Sequence, residues 1–263
     1  MVSSGVCLLV LASIQLALTA PTRRRQDSAS GGCPRGAPDL DDCVGTSIQQ
    51  FVNFMASGKL SPKVAITPFD PLLLPNMTIS QETKGLTAVY VNRYLIGLKN
   101  SFVHDTSVNL GKREFSLTLL MPALELLGMY SAESFEDHSD TENSILTISI
   151  RSSTAKFRVL GDLYKAPSGV QHLRLNVTDV QLALGHYMIN DLDHSTHIPR
   201  ANRHFNALPR LEFVRLIEAD LRTQLGARLQ HIANEVLALA PYEKFFLCDH
   251  QALTLGCMVI NGA

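Results

Sequence analysis

The hydrophobic pattern begins with a helical segment. Apolar residues recur every three or four positions after the acidic cluster at 39–42, and acidic side chains are favourable at a helix N-terminus. Gly58 supplies a natural stop. The pattern therefore predicts a short N-terminal helix with one apolar face, formed by Val44, Ile48, Phe51, Val52 and Met55.

A long β-like region follows, from about residue 64 to 189. Apolar and polar residues alternate at 77–81, 115–119, 146–150, 157–159 and 173–177. Alternation with a period of two gives each strand one buried and one wet face. The alternation shifts near Val180, which predicts a β-bulge there. Because no helical segment separates these strands, we expect an antiparallel meander.

The clearest helical signal lies near the C-terminus. Nine apolar residues recur at helical spacing over 211–239, and Pro241 follows them. Such a helix is about 45 Å long and cannot bury its apolar stripe alone. The predicted fold class is therefore α+β, in which a strongly curved antiparallel sheet wraps a long C-terminal helix and a short N-terminal helix is added.

Composition and the N-terminus suggest an exported globular protein. Of 263 residues, 46% are apolar and 18% charged, and the net charge of −1 gives no general attraction to nucleic acid or anionic membrane. Residues 1–20 resemble a cleaved secretory signal, although a signal anchor is the alternative because three arginines follow. We expect a flexible leader at 21–32, a single domain at 33–247, a C-terminal tail at 248–263, and secretion to the extracellular space.

The cysteines fit this compartment. After signal removal, an even number remains: Cys33, Cys43, Cys248 and Cys257. Three disulfide connectivities are possible, and we favour the sequence-local one, Cys33 with Cys43 and Cys248 with Cys257. The spacing of neither pair fits metal ligation. Asn76 and Asn176 begin N-glycosylation sequons, and Asn176 has the polar parity of its strand.

No catalytic pattern is present in the sequence. The chain has no nucleophile elbow, phosphate-binding loop or zinc-protease motif. The stretch rich in Asp and His at 186–204 has no recognised ligand spacing and is interpreted as a solvated loop. We therefore predict no enzyme activity, no cofactor and no metal.

Three segments resemble one known family. Residues 33–80 include CPRGAPDLDDC and the proline-rich PFDPL, residues 128–130 read GMY, and residues 240–246 read APYEKFF. In this order they resemble the arthropod takeout and juvenile-hormone-binding protein family. The resemblance implies a disulfide between Cys33 and Cys43 and the fold of a tubular lipid-binding module. The tail that contains Cys248 and Cys257 departs from the family pattern.

The resemblance also implies a hydrophobic tunnel that carries a terpenoid hormone or a fatty-acyl-type lipid. Burial of each methylene group stabilises such a ligand by roughly 0.8 kcal/mol, while one or two polar groups fix its head. Ordinary core packing is the alternative role for every predicted wall residue. The predicted tunnel wall comprises Ile48, Phe51, Val52, Met55, Leu146, Ile148, Phe157, Val159, Leu173, Leu175, Leu221 and Leu225.

A second class of function uses the same fold without a small ligand. A secreted partner-binding or immune-type recognition protein would have a filled interior or an exposed apolar patch. We expect a small hydrophobic ligand as the partner, no nucleic acid and no stable membrane insertion. A protein receptor is left open.

Overall fold

A curved antiparallel sheet and two long helices form most of the fold. The computed structural model describes residues 32–54, 56–61, 64–81, 86–134, 143–192 and 210–247. Met55, Cys248, Cys257, the predicted signal, most of the leader and the tail lie outside these ranges. The elements in chain order are β1 (Cys33–Pro34), α1 (Leu40–Phe54), β2 (Lys59–Ser61), β3 (Val64–Ala65), β4 (Leu72–Leu74), β5 (Met77–Gln81), β6 (Leu86–Ile96), a 3₁₀ turn (Leu98–Asn100), β7 (Phe102–Asn109), β8 (Glu114–Ser134), β9 (Asn143–Lys165), β10 (Gln171–Ala183), β11 (His186–Leu192), α2 (Arg210–Leu237), α3 (Tyr242–Phe245) and β12 (Phe246–Leu247).

Two long central strands organise the main sheet. β8 and β9 pair with each other along almost their whole length. At one end β7 and β10 flank them, and at the other end β6 and β11 do. β4 and β5 extend the sheet beyond β6. All these pairings are antiparallel, as the alternating pattern predicted.

Helix α2 is fixed to the free edge of β10 by two amide side chains. Asn234 accepts a hydrogen bond from the Leu175 amide (2.7 Å) and donates one to its carbonyl (2.8 Å). Gln230 accepts one from the Val177 amide (2.6 Å). Four helical residues and two strand residues each span about 6 Å, so both amides match the strand repeat. The helix thus completes the hydrogen bonding of an edge strand.

Helix α1 closes the opposite edge in the same way. The Gln49 side chain accepts from the Val103 amide (2.7 Å) and donates to the Ser101 carbonyl (3.1 Å). Asp41 accepts from the Val108 amide (2.8 Å). Helix α1 is therefore attached to β7 and helix α2 to β10. These two strands flank the same end of the β8–β9 hairpin.

The proline-rich segment 68–71 secures a sharp turn. The buried Asp70 carboxylate accepts hydrogen bonds from the Gly97 and Lys99 amides at the 3₁₀ turn. Phe69 stacks on Phe51 of α1, with 5.8 Å between ring centroids. This segment consequently ties α1 to the junction between β6 and β7.

The predicted architecture is confirmed. Both helices form where the periodicity placed them, and a register shift lies between Val177 and Asp179, at the predicted bulge. One detail of the long stripe is wrong: α2 ends at Leu237, and Leu239 lies in the following turn with 52% of its surface exposed.

The chain ends of the domain meet at one point. A disulfide joins Cys33 and Cys43, as predicted. β1 pairs in parallel with β12, and Arg35 donates to the Phe246 carbonyl (3.0 Å). The guanidinium of Arg35 also lies 4.8 Å from the centroid of the Tyr242 ring. The segment at 240–246 therefore anchors the N-terminal disulfide to the end of α2.

Candidate functional site

Most predicted wall residues share one apolar interior. It lies between the curved sheet and the two helices. Of the nine predicted wall residues in it, Ile48, Phe51 and Val159 are half-buried and the other six are buried. The predicted wall residues in this cluster are Ile48, Phe51, Val52, Leu146, Ile148, Phe157, Val159, Leu221 and Leu225. Their contact with a ligand stays a prediction.

Leu173 and Leu175 lie elsewhere. They pack in a second cluster with Tyr242 and Phe246, next to the N-terminal residues Leu40 and Val44. This cluster fills the end of the molecule near the disulfide. Both leucines belong to the predicted tunnel wall, and contact of either one with a ligand stays a prediction.

A charged side chain lies inside the larger cluster. The main sheet has a register shift in β6 between Val91 and Tyr94, and Asn92 there has a positive φ of 52°. Before the shift, Ala88 and Tyr90 are buried, whereas after it the buried positions are 93 and 95. The bulge thus exchanges the two faces of the strand. Its consequence is that Arg93, rather than Asn92, points inward.

Arg93 is fully buried, with 0% of its side chain exposed. Its Nη2 donates to the carboxylate of Asp220 on α2, which is 18% exposed. Among the described residues, the Nε and Nη1 atoms have no hydrogen-bond partner and no contact with solvent. A buried cation requires a counter-ion, and Asp220 provides one, yet two of the three guanidinium nitrogens stay unpaired.

The aromatic ring of Tyr90 packs beside Arg93. The guanidinium carbon lies 5.3 Å from the centroid of its ring. The phenol shares its single proton between the carbonyls of Leu126 (3.2 Å) and Leu146 (3.1 Å). Burial raises the pKa of the Tyr90 phenol well above its usual value, against the opposing effect of the Arg93 charge. The phenol is therefore a neutral hydrogen-bond donor throughout the physiological pH range.

Gly128 makes space for this ring. A Cβ atom there would lie 2.5 Å from Tyr90 Cε2 and 2.9 Å from the Val91 carbonyl oxygen. Tyr130, two residues later, packs edge-to-face against Tyr90 at 6.4 Å and against Phe213 of α2 at 6.3 Å. Residues 128–130 therefore help to position the aromatic rings around the Arg93–Asp220 pair. This packing accounts for Gly128 and Tyr130, two of the three residues in the segment.

A separate groove of about 240 Å³ runs along the seam of β10 and α2. It is smaller than most ligand pockets and is lined largely by polar side chains. The lining residues are Tyr164, Leu173, Arg174, His231, Asn234, Glu235 and Ala238. Only Leu173 among them was a predicted wall residue. The groove overlaps the Asn234 contact with β10 and is therefore assigned a structural role.

Other predicted positions have surface locations. Asn76 and Asn176 are both exposed. Within the described ranges, no group of three or more His, Cys, Asp or Glu side chains is arranged to bind a metal ion. None of the helices described is long and apolar enough to cross a membrane.

Sequence analysis missed Arg93 and Asp220. Arg93 follows a nearly continuous apolar run at 88–91, where the strand parity is ambiguous. Asp220 has the charge typical of the wet face of a helix. One signal was available: Asp220 lies directly before Leu221 and three residues after Ile217, so it borders the apolar stripe of α2.

Comparisons with known proteins identify the family. The model of the haemolymph juvenile hormone binding protein family matches residues 7–247. A search of the curated proteins finds no match. Takeout 1 of Epiphyas postvittana is a structural match with 15% identity and a TM-score of 0.49, covering 82% of this chain and 99% of its own. A lipopolysaccharide binding protein gives 12% identity and a TM-score of 0.39 over 73% of this chain and 35% of its own.

The family match spans all three segments that carried the resemblance, from the CPRGAPDLDDC segment to the APYEKFF segment. The chain belongs to the haemolymph juvenile hormone binding protein family.

Proposed function

We propose that this protein is a secreted carrier that binds a small hydrophobic ligand between its curved sheet and its two helices. The main support is membership of a family named for binding juvenile hormone. A terpenoid hormone or a fatty-acyl-type lipid fits this proposal. The protein acts by binding and has no catalytic role.

The interior supplies the chemistry that such a ligand needs. Apart from the Arg93–Asp220 pair, the side chains that the sheet and both helices contribute to the interior are largely apolar. A ligand of about fifteen carbons would gain roughly 0.8 kcal/mol for each buried methylene group, which is enough for micromolar binding after the ordering costs are subtracted. Both helices are attached to strand edges by side-chain hydrogen bonds, which hold them against the sheet around this interior.

Export fits this role. The disulfide between Cys33 and Cys43 is typical of an oxidising compartment. The exposed positions of Asn76 and Asn176 leave both sequons accessible for glycosylation. We propose that the protein is released after signal cleavage and functions outside the cell.

A matched pair of variants tests binding in the interior. Val159 is half-buried in the large apolar cluster, whereas the next residue, Leu160, points outward and is 42% exposed. Val159→Phe should narrow the interior and weaken uptake of the fluorescent probe N-phenyl-1-naphthylamine. Leu160→Phe should leave uptake unchanged. Equal uptake by both variants would place the bound probe outside the interior and refute this location.

One observation favours the second candidate function. Leu73, Tyr94 and Met129 are 53%, 39% and 37% exposed on the outer face of the sheet. Leu73 and Tyr94 are cross-strand partners, so the patch is partly continuous. A partner-binding protein would use this surface and would take up no probe. Tyr94→Ser should then abolish partner capture, whereas the carrier proposal predicts normal ligand binding by that variant.

A further inference from the structure

The chemistry of the Arg93–Asp220 pair selects the kind of ligand that the interior could hold. The β6 bulge directs Arg93 inward, and its Nε and Nη1 atoms are sealed from solvent without a partner among the described residues. A guanidinium group only donates hydrogen bonds. A buried donor without an acceptor is unfavourable, so this site favours any group that brings an oxygen lone pair.

The charge of the site restricts that oxygen. Asp220 already neutralises Arg93. A ligand carboxylate would add a second negative charge to a neutral, poorly solvated pair, and it would lose its own hydration shell on binding. An uncharged acceptor satisfies the same nitrogen atoms without either penalty. The neighbouring Tyr90 ring and its edge-to-face partner Tyr130 provide an apolar wall for the adjoining carbon atoms.

We propose that Arg93 anchors a neutral, oxygen-bearing end of the hydrophobic ligand: an ester, ketone, epoxide or alcohol, and not an ionised carboxylate. This inference rests on the proposed carrier function. Asp220 is a positioning residue that sets the charge preference of the site. The alternative role for the pair is purely structural, as an internal tie between β6 and α2.

Competition binding separates these roles. Bound N-phenyl-1-naphthylamine is titrated at pH 8 with dodecane, methyl laurate or sodium laurate in separate experiments. Each competitor is kept below its aggregation concentration, and displacement of the probe gives its affinity. In the wild-type protein, methyl laurate should bind at least 10-fold more tightly than laurate. Asp220→Asn keeps an acceptor for Arg93 but removes its counter-charge. The ratio of laurate to methyl laurate affinity should therefore rise at least 10-fold.

A neighbouring charge provides the matched control. Glu218 lies on the same helix, is 30% exposed and pairs with Arg222 on the surface. Glu218→Gln removes the same charge two residues away, and the affinity ratio should stay at the wild-type value. A purely structural Arg93–Asp220 pair would lower the melting temperature of Asp220→Asn without changing the ratio, which overturns the proposal.

A second variant decides the question independently of the first. Arg93→Met combined with Asp220→Leu replaces the pair by apolar side chains and leaves no buried charge. Methyl laurate affinity should then fall about 10- to 100-fold, to that of dodecane. An unchanged preference for methyl laurate would refute the anchor.

Failure of this inference is distinguishable from failure of the carrier function. If the probe binds and all three competitors displace it equally well in every variant, the interior is a carrier site without this anchor. If neither the probe nor any competitor binds the wild-type protein, the carrier function and the anchor are both wrong.

Discussion

The attachment of α2 to the edge of β10 should be a measurable part of the stability. Asn234→Leu keeps the branched shape of the side chain but removes both hydrogen bonds to the Leu175 backbone. Each such bond contributes about 0.5–1.5 kcal/mol, and the partly buried backbone groups would lose their partners. We expect the free energy of unfolding to fall by roughly 2–3 kcal/mol.

This change is accessible to thermal unfolding followed by circular dichroism. For a domain of this size, about 2–4 °C corresponds to 1 kcal/mol, so the melting temperature should drop by roughly 4–12 °C. Asn190→Leu is the matched control, because Asn190 is an exposed amide on β11. Its expected effect is within about 0.5 kcal/mol. An Asn234→Leu protein as stable as this control would refute the edge-closing role.

Three other changes test individual contacts that stabilise the fold. Gly128→Ala places a Cβ atom against the Tyr90 ring and should destabilise the fold by about 1–3 kcal/mol in urea unfolding. Tyr90→Phe should flatten the loss of stability at alkaline pH: the raised pKa keeps the folded phenol neutral while the unfolded one ionises near pH 10, so between pH 10 and 11 the wild type should lose about 1 kcal/mol more than the variant. Asp70→Ala leaves the Gly97 and Lys99 amides without an acceptor and should remove roughly 2–3 kcal/mol.

Each of these expectations has a clear contrary result. Gly36→Ala is the control for Gly128→Ala, since a Cβ atom at Gly36 meets nothing within 4 Å; equal effects of the two would argue against the close contact. Parallel pH profiles for wild type and Tyr90→Phe would mean that the phenol ionises in the folded state as readily as in the unfolded one. For Asp70→Ala, a loss below about 0.5 kcal/mol would show that the turn is held by other contacts.

The positions of the strands and helices were predictable because buried residues recur every two positions in a strand and every three or four positions in a helix. The parity shift near Val180 even located the bulge between Val177 and Asp179. The division of β8 and β9 into two differently flanked halves was not predictable, since periodicity within a strand contains no information about its neighbours. The sequence therefore does not show that Leu173 and Leu175 pack in the second cluster, with Tyr242 and Phe246.

The polar contacts were harder to predict for a different reason. Gln230 and Asn234 occupy positions i and i+4 of α2, where a sequence shows only a polar helix face. Their role depends on the edge strand β10 that lies beside α2, and the polar spacing within the helix does not show which strand that is. Arg93 was missed because its inward direction results from a single bulge, and an apolar run on both sides conceals the change in parity.

Native mass spectrometry of the protein purified from a eukaryotic secretory host, combined with solvent extraction, tests the carrier function most directly. We expect a stoichiometric adduct and, in the extract, an uncharged oxygen-bearing lipid or terpenoid. A clean ligand-free mass, with no uptake of added terpenoids or lipids, would contradict the carrier function and favour a partner-binding role.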